Sequence, residues 1–402
     1  MLRIVVEQLF GPPMAERQVE IVERKGKGHP DTMCDSMLEA ISVALSRYYL
    51  QEFGTVLHHN IDKGLLAAGM VKKWFGGGEV LKPMELFIGD RATMKADDTE
   101  IPVAEIAIEA AQNWLRSNLR FVDAERHMTY QVVLASGSEE LTDIFVRSGG
   151  VRAANDTSAA VGYYPLSPTE KAVLELETYL NSPGFKERFP ETGEDVKIMG
   201  VRHQGELELT VAMPLLSPFV LSEADYFARK EAICRDMLDF GRRFSSFNNV
   251  DLHFNTLDTP GRGLGGVYLS LLGTSAEDAD SGEVGRGNKV NGLIPVGRPI
   301  GGEAVAGKNP VSHIGKIYNI LAHRLARQIY EEIDGLKEVY TYLVVQIGTP
   351  IDQPQIAAVQ IISKPGIRIE DVSQQVEELI QKELAGINDL CIDLIHGRYP
   401  VC

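Results

Sequence analysis

Between Gln18 and Leu384 the apolar residues switch repeatedly between a two-residue and a 3.6-residue period, in mixed order. This succession constrains the fold more than any other feature of the chain. Gln18 to Arg24 reads as a strand. Asp35 to Phe53 reads as a helix, with Met37, Leu38, Ile41, Leu45, Tyr48 and Tyr49 on one stripe. Val196 to Met213 reads as a hairpin turning at Gln204-Gly205, and Val250, Leu252 and Phe254 alternate as a further strand. Ser312 to Ile333 is a second strong helix, Tyr340 to Ile347 and Ile356 to Ile362 are strands, and Asp371 to Leu384 is a closing helix. Hairpins stand beside helices instead of each strand leading into one, so the order predicts α+β rather than a parallel doubly wound sheet. No low-complexity stretch separates domains, and no internal repeat is visible in the residues.

Charge narrows the function. Forty Lys and Arg stand against fifty-six Asp and Glu, a formal net charge of −16, and no basic run is long enough for a nucleic-acid surface. An anion must therefore be held by a local cluster of cations and backbone N–H groups. The four cysteines, Cys34, Cys234, Cys391 and Cys402, show no paired spacing, which argues against a zinc site or disulfide framework and for a cytoplasmic setting. The first ten residues lack a signal-peptide core, and no apolar run approaches the ~20 residues of a membrane helix.

Three Gly-rich segments carry cations in this acidic chain. Gly26-Lys27-Gly28-His29-Pro30-Asp31 leads into a helix, where Pro30 suits the first turn and free N–H groups offer an anion a positive dipole end. Glycine here lets the backbone approach a ligand. His29 adds a hydrogen bond or a charge, and Asp31 and Asp35, one turn apart, can hold a hard cation such as Mg²⁺. Asp280 to Lys289 brings a carboxylate, Arg286 and Lys289 into one loop. Gly302 to Asn309 nearly matches a P-loop, but Asn309 replaces the Mg²⁺-binding hydroxyl residue and no clean strand precedes it; Lys308 remains a phosphate-reaching cation. Together the three segments predict a polyphosphate site. Gly261 to Gly266 matches GxGxxG, but the short strand-like stretch that follows it makes it a turn, not a dinucleotide fingerprint. His58 and His59 would point to opposite faces of a strand and are read as structural or interfacial. His29-Pro30-Asp31 also occurs in J-domain loops, but there it joins two helices, and here a strand precedes it.

Over essentially its whole length the chain resembles the S-adenosylmethionine synthase (methionine adenosyltransferase) family, in its archaeal-type branch. The stretches that carry the likeness are Glu23 to Asp31, His58 to Gly69, Asn155-Asp156, Asp280 to Asn288 and Gly301 to Pro310. The resemblance implies a reaction of ATP with methionine, followed by cleavage of the displaced tripolyphosphate. It implies three similar α+β subdomains interwoven around a pseudo-threefold axis, a single unit over 1–402, and a homodimer, pairing further in some members, with active sites between subunits. It implies that His29 is the catalytic histidine and Asp31 a Mg²⁺ ligand, with K⁺ as a second cation. Glu23, Asp156 and Asp280 would serve methionine. Lys197, Arg286, Lys289 and Lys308 would serve ATP and its triphosphate, with Arg286 and Lys308 also catalytic, and Tyr268 would stack on adenine. Lys289 is the candidate substitute for a second cation that Gly287 lacks, and His313 and Lys316 are candidates to replace a further metal ligand. Residues 136–154 would form a lid.

Two other classes fit parts of the pattern. A polyphosphate hydrolase would use the same cations but would have no sulfonium for Glu23 and Asp156 to stabilise. A non-enzymatic scaffold would need none of the charged residues.

Overall fold

A computed structural model describes residues 2–138, 145 and 150–402. Three mixed sheets, each backed by two helices, hold most of the regular secondary structure. The first joins Gly282–Glu283, His59–Ala67, Met84–Ala92 and Met128–Ala135, and is covered by helices Pro30–Phe53 and Val103–Asn118. The second joins Asn249–Phe254, Glu206–Ala212, Lys197–His203, Val19–Lys25 and Ile294–Pro295, under helices Pro168–Leu180 and Glu223–Gly241. The third joins Arg3–Gln8, Ile356–Ser363, Leu336–Val345 and Ser158–Tyr164, under helices Ile314–Glu332 and Ile369–Ala385. Each sheet–helix sandwich has its own apolar core.

One order of pairing recurs in all three. An antiparallel hairpin is followed by a helix and then by a strand parallel to the hairpin's second strand: Met128–Ala135 in the first sheet and Asn249–Phe254 in the second. In the third sheet the parallel strand is Arg3–Gln8, from the other end of the chain. The first strand of each hairpin is flanked on its other side by an antiparallel strand from elsewhere: Gly282–Glu283, Val19–Lys25 and Ser158–Tyr164 respectively. The sheets are thus interlocked, which accounts for the lack of a linker in the sequence.

The helix that leads into each hairpin starts at a side-chain cap. His29 and His313 each accept a backbone N–H through Nδ1, and Ser167 forms a reciprocal capping box with Glu170. The first helix begins at Pro30, five residues before the expected start, because its first turn is lined by buried polar residues (Asp31, Thr32, Asp35) that carry no apolar stripe. The strand expected at 340–347 spans Leu336–Val345: residues 338–341 are buried on both faces, so no alternation marks its beginning. The hairpin over 197–212 turns at Gln204-Gly205, both at positive φ (52° and 85°), as a tight two-residue turn requires. Gly263–Gly266 forms a 3₁₀ turn, not the opening of a longer helix. No helix among the described residues is long and apolar enough to cross a membrane.

The first and second sheets each bury one face against their helices and leave the other more open. On the open face of the first sheet Leu65 and Val133 are 42% and 65% exposed, beside Phe87 and Lys63. The open face of the second carries Glu23, Met199 and Lys197.

Candidate active site

The chain runs from Val19–Lys25 through a glycine turn into the Pro30 helix, and this junction builds the first half of the site. Gly26 donates its N–H to Val196 O (2.6 Å) and Gly28 to Glu194 O (3.1 Å). A Cβ on Gly28 would lie 2.4 Å from the Glu194 carbonyl carbon and 2.5 Å from Asp195 N. These glycines serve close contact with the 194–196 backbone. Gly28→Ala is accordingly expected to destabilise the protein by about 1–3 kcal/mol and to displace His29. Gly302→Ala, with nothing within 4 Å of its Cβ, should leave the melting temperature unchanged. Equal melting temperatures for the two variants would refute this.

His29 is 7% exposed. The Asp31 N–H donates to its Nδ1 at 3.2 Å, which leaves the proton of the neutral ring on Nε2. Burial is the main cause that lowers its pKa to about 4; the Asp31 carboxylate opposes this, and Lys25 and Lys197 reinforce it. Asp31 accepts from Lys25 Nζ (2.8 Å) on one oxygen and from Glu283 N–H (2.9 Å) on the other. Burial works against its charge, but those bonds hold its pKa below the ordinary value. Lys197 Nζ lies 3.4 Å from Glu23, on the open face of the second sheet. Asp195 is buried, with its pKa raised to about 6 by burial first and by Asp280 in lesser part; Ser275 donates to it through N–H (2.8 Å) and hydroxyl (2.5 Å). Tyr268 is half-buried beside Asp195 and Ser275, and Asp280 is exposed. Glu23, His29, Asp31, Lys197, Tyr268 and Asp280 are therefore drawn into one neighbourhood.

Asp35 does not join Asp31 as a second ligand. It is 2% exposed, accepts from Gly285 N–H (2.7 Å), and sits so close to Gly287 that a Cβ there would meet its carboxylate at 2.2 Å. Burial raises its pKa to about 7. It fastens the loop that carries Arg286 and Lys289. The Arg286 side chain is exposed, 3.8 Å from Glu283, and Lys289 acts electrostatically on Asp35.

A second cluster lies on the open face of the first sheet. A cavity of about 520 Å³ is lined by Asp62, Lys63, Phe87, Glu283, Glu303 and Lys308, among others. Lys308 is buried, bonded to Asp62 and 3.3 Å from Glu303. Burial alone would raise the Asp62 pKa, but Lys308 overrides it and brings it to about 2. Ser158 donates to Glu303 (3.2 Å), and Asp156, two residues earlier, accepts from Thr157 N–H (2.8 Å). His313 caps its helix, and Lys316 is fully buried against Glu39 (2.7 Å). His58 and His59 are both buried. The Gly282–Glu283 strand stands between the clusters: its N–H binds Asp31, while Glu283 lines the cavity with Lys308. Most of the 136–154 segment lies outside the described residues.

Sequence reasoning missed Lys25, Asp195 and Glu303, and noticed Asp62 only as a neighbour of His58 and His59 in a possible metal site. Lys25 had a signal, since it lies two residues from Glu23 and shares its strand face; Glu303 had none. Among the described residues no group of three or more His, Cys, Asp and Glu is arranged to hold a metal ion. A lone Asp31 still fits Mg²⁺, which is commonly held by one or two carboxylates, water and substrate phosphates.

Residues 2–398 match the S-adenosylmethionine synthetase (AdoMet synthetase) family. An S-adenosylmethionine synthase of Aeropyrum pernix is 45% identical over 404 residues, covering 99% of each chain. A probable S-adenosylmethionine synthase of Aquifex aeolicus is 43% identical over 404 residues, covering 100% of both. The chain belongs to the S-adenosylmethionine synthetase family, in its archaeal-type branch. It is an enzyme, and its activity is that of an S-adenosylmethionine synthase, an ATP-binding transferase. The structure titled an unusual S-adenosylmethionine synthetase from Campylobacter jejuni is 14% identical, with a TM-score of 0.56 over 94% of each chain; that likeness concerns the fold alone and agrees with the α+β reading.

Proposed function

We propose that the methionine sulfur attacks C5′ of ATP, that tripolyphosphate leaves, and that the same site hydrolyses it to diphosphate and phosphate. The observation that carries this reading is His29: a buried, neutral imidazole whose Nδ1 is engaged by the helix, so that Nε2–H is left to donate to the departing phosphate oxygen. Lys197, Arg286, Lys289 and Lys308 supply positive charge on the triphosphate side, Arg286 and Lys308 in catalytic roles. Glu23, Asp156 and Asp280 supply negative charge where methionine carries its ammonium and its sulfur becomes a sulfonium, and Tyr268 supports adenine. Asp31 would hold Mg²⁺, which when bound neutralises phosphate charge; K⁺ is proposed as a second cation.

Both clusters open on sheet faces that no helix covers. We therefore propose a homodimer, with dimers pairing further as an option, in which the Lys308 cluster of one copy meets the His29 cluster of the other. The accessible surface supports this: 17,625 Å² for 44.3 kDa, against about 15,500 Å² for a monomeric globular protein of that mass. The recurring pairing order supports a pseudo-threefold arrangement of three discontinuous subdomains in one catalytic unit. A lid at 136–154 and a cytoplasmic location complete the proposal.

The test is mass spectrometry of purified protein with ATP, methionine and Mg²⁺, beside a tube without methionine. The expected product has the mass of S-adenosylmethionine, with diphosphate and phosphate released together only when methionine is present. Phosphate release without methionine and without a sulfonium product would replace this reading with a polyphosphate hydrolase.

A further inference from the structure

Lys25 ends the strand that leads into the glycine turn, and its ammonium is only 13% exposed. It donates to Asp31 Oδ2 at 2.8 Å and to the Arg286 carbonyl at 2.7 Å, with Glu23 at 3.9 Å. The other Asp31 oxygen takes the Glu283 N–H. The backbone of Lys25 is tied to the same loop: its N–H donates to Asn288 Oδ1 (3.0 Å), and Asn288 Nδ2 donates back to its carbonyl (2.7 Å). Thr32 in the first helical turn donates to that carbonyl too (3.1 Å). A single side chain thus joins strand, helix and cationic loop, with its charge on the free side of the proposed metal-binding carboxylate.

We infer that the Lys25 ammonium is a built-in counter-ion for Asp31, a positioning residue that holds the carboxylate and the Arg286 loop in register and yields Asp31 Oδ2 when a divalent cation arrives. This rests on the assignment of Asp31 as the metal-binding residue. A divalent cation on the same carboxylate oxygen repels the ammonium and competes with it, which favours the displacement of the ammonium. Strand pairing with Lys197 fixes its backbone, so the freed ammonium stays at the end of the strand that leads into the glycine turn.

Lys25→Met removes the competitor and the tie together. The full-length variant is expected to bind Mn²⁺, followed by the loss of free-ion electron paramagnetic resonance signal, at least fivefold more tightly than the parent protein, while kcat falls at least tenfold. Lys25→Arg should restore most of kcat and the parental Mn²⁺ affinity, and it serves as the folding control if the methionine variant melts early. A purely structural lysine would lower kcat without tightening Mn²⁺, and that result overturns the inference. Asp31→Asn separates the two claims. Unchanged Mn²⁺ binding in that variant refutes the metal assignment itself. Weakened binding in Asp31→Asn, with no tightening in Lys25→Met, refutes only the role given to Lys25.

Discussion

His29→Asn is expected to lower kcat by about 10²–10³-fold, the loss typical when one preorganised donor to a developing oxyanion is removed, while leaving the fold intact. The substitution separates the two jobs that His29 performs. Its Nδ1 caps the Pro30 helix, and asparagine is among the best capping residues, so the first turn keeps its hydrogen bond. The Nε2–H, on the far side of the ring, has no counterpart in the shorter side chain. Alanine would confound the result by removing the cap as well, at about 0.5–2 kcal/mol. The same geometry sets the pH response. With its pKa held near 4, His29 stays neutral with its proton on Nε2 across the neutral range. The kcat profile between pH 6 and 8 should show no inflection that His29→Asn abolishes. A variant keeping more than a tenth of parental kcat, in steady-state assays with both substrates saturating, would remove His29 from the chemistry.

Mild acid should destabilise this enzyme before its surface carboxylates titrate. Five buried histidines have their pKa values pushed down, chiefly by burial: His29, His58 and His323 to about 4, His59 and His313 to about 3. A histidine with a lowered folded pKa binds no proton in the native state, whereas the unfolded chain takes one up below about pH 6.5. Stability therefore falls as pH drops through 6.5 and keeps falling toward the folded values. At pH 5.5 each such histidine costs about 1.4 kcal/mol relative to pH 8, and five cost about 7 kcal/mol. Asp35, Asp195 and Lys186 work in the opposite direction. Burial raises the two carboxyls to about 7 and about 6 and lowers the Lys186 ammonium to about 7, so the folded state takes up these protons within the same interval and gains about 5 kcal/mol. The balance is a loss of about 2 kcal/mol, against a typical stability of about 5–15 kcal/mol. Denaturant titrations at pH 8 and 5.5 would measure it, and equal or greater stability at pH 5.5 would refute the neutral-histidine account.

The parts of the fold that could be read from sequence are those whose two faces differ. The 197–212 hairpin alternates buried and exposed residues on both strands, and its turn needs two positive φ angles at Gln204-Gly205. What could not be read depends on long-range pairing. The threefold recurrence of hairpin, helix and parallel strand lies in the order of the sheets, and one of its strands comes from the opposite end of the chain. The site divides in the same way. His29 and Asp31 stand beside a cap and a proline, both local signals. Asp62 acquires its meaning only from Lys308, 246 residues away. The glycines are ambiguous in a specific way: Gly28 and Gly287 give room to neighbouring protein atoms, a use of glycine that looks the same in sequence as a cradle for phosphate.

The placement of Arg3–Gln8 has a consequence for how the chain is made. Arg3 pairs with Ile356 and Gln8 with Ile361, so this strand must wait until residues 356–361 have been made before it is seated. At about 5–20 residues per second that wait is roughly 20–70 s. During it the amino-terminal segment has no sheet to join. Once made, Ile356–Ser363 presents an open edge until that segment returns. The third sheet is therefore the natural point at which a nascent-chain chaperone would act, and the last of the three to become secure.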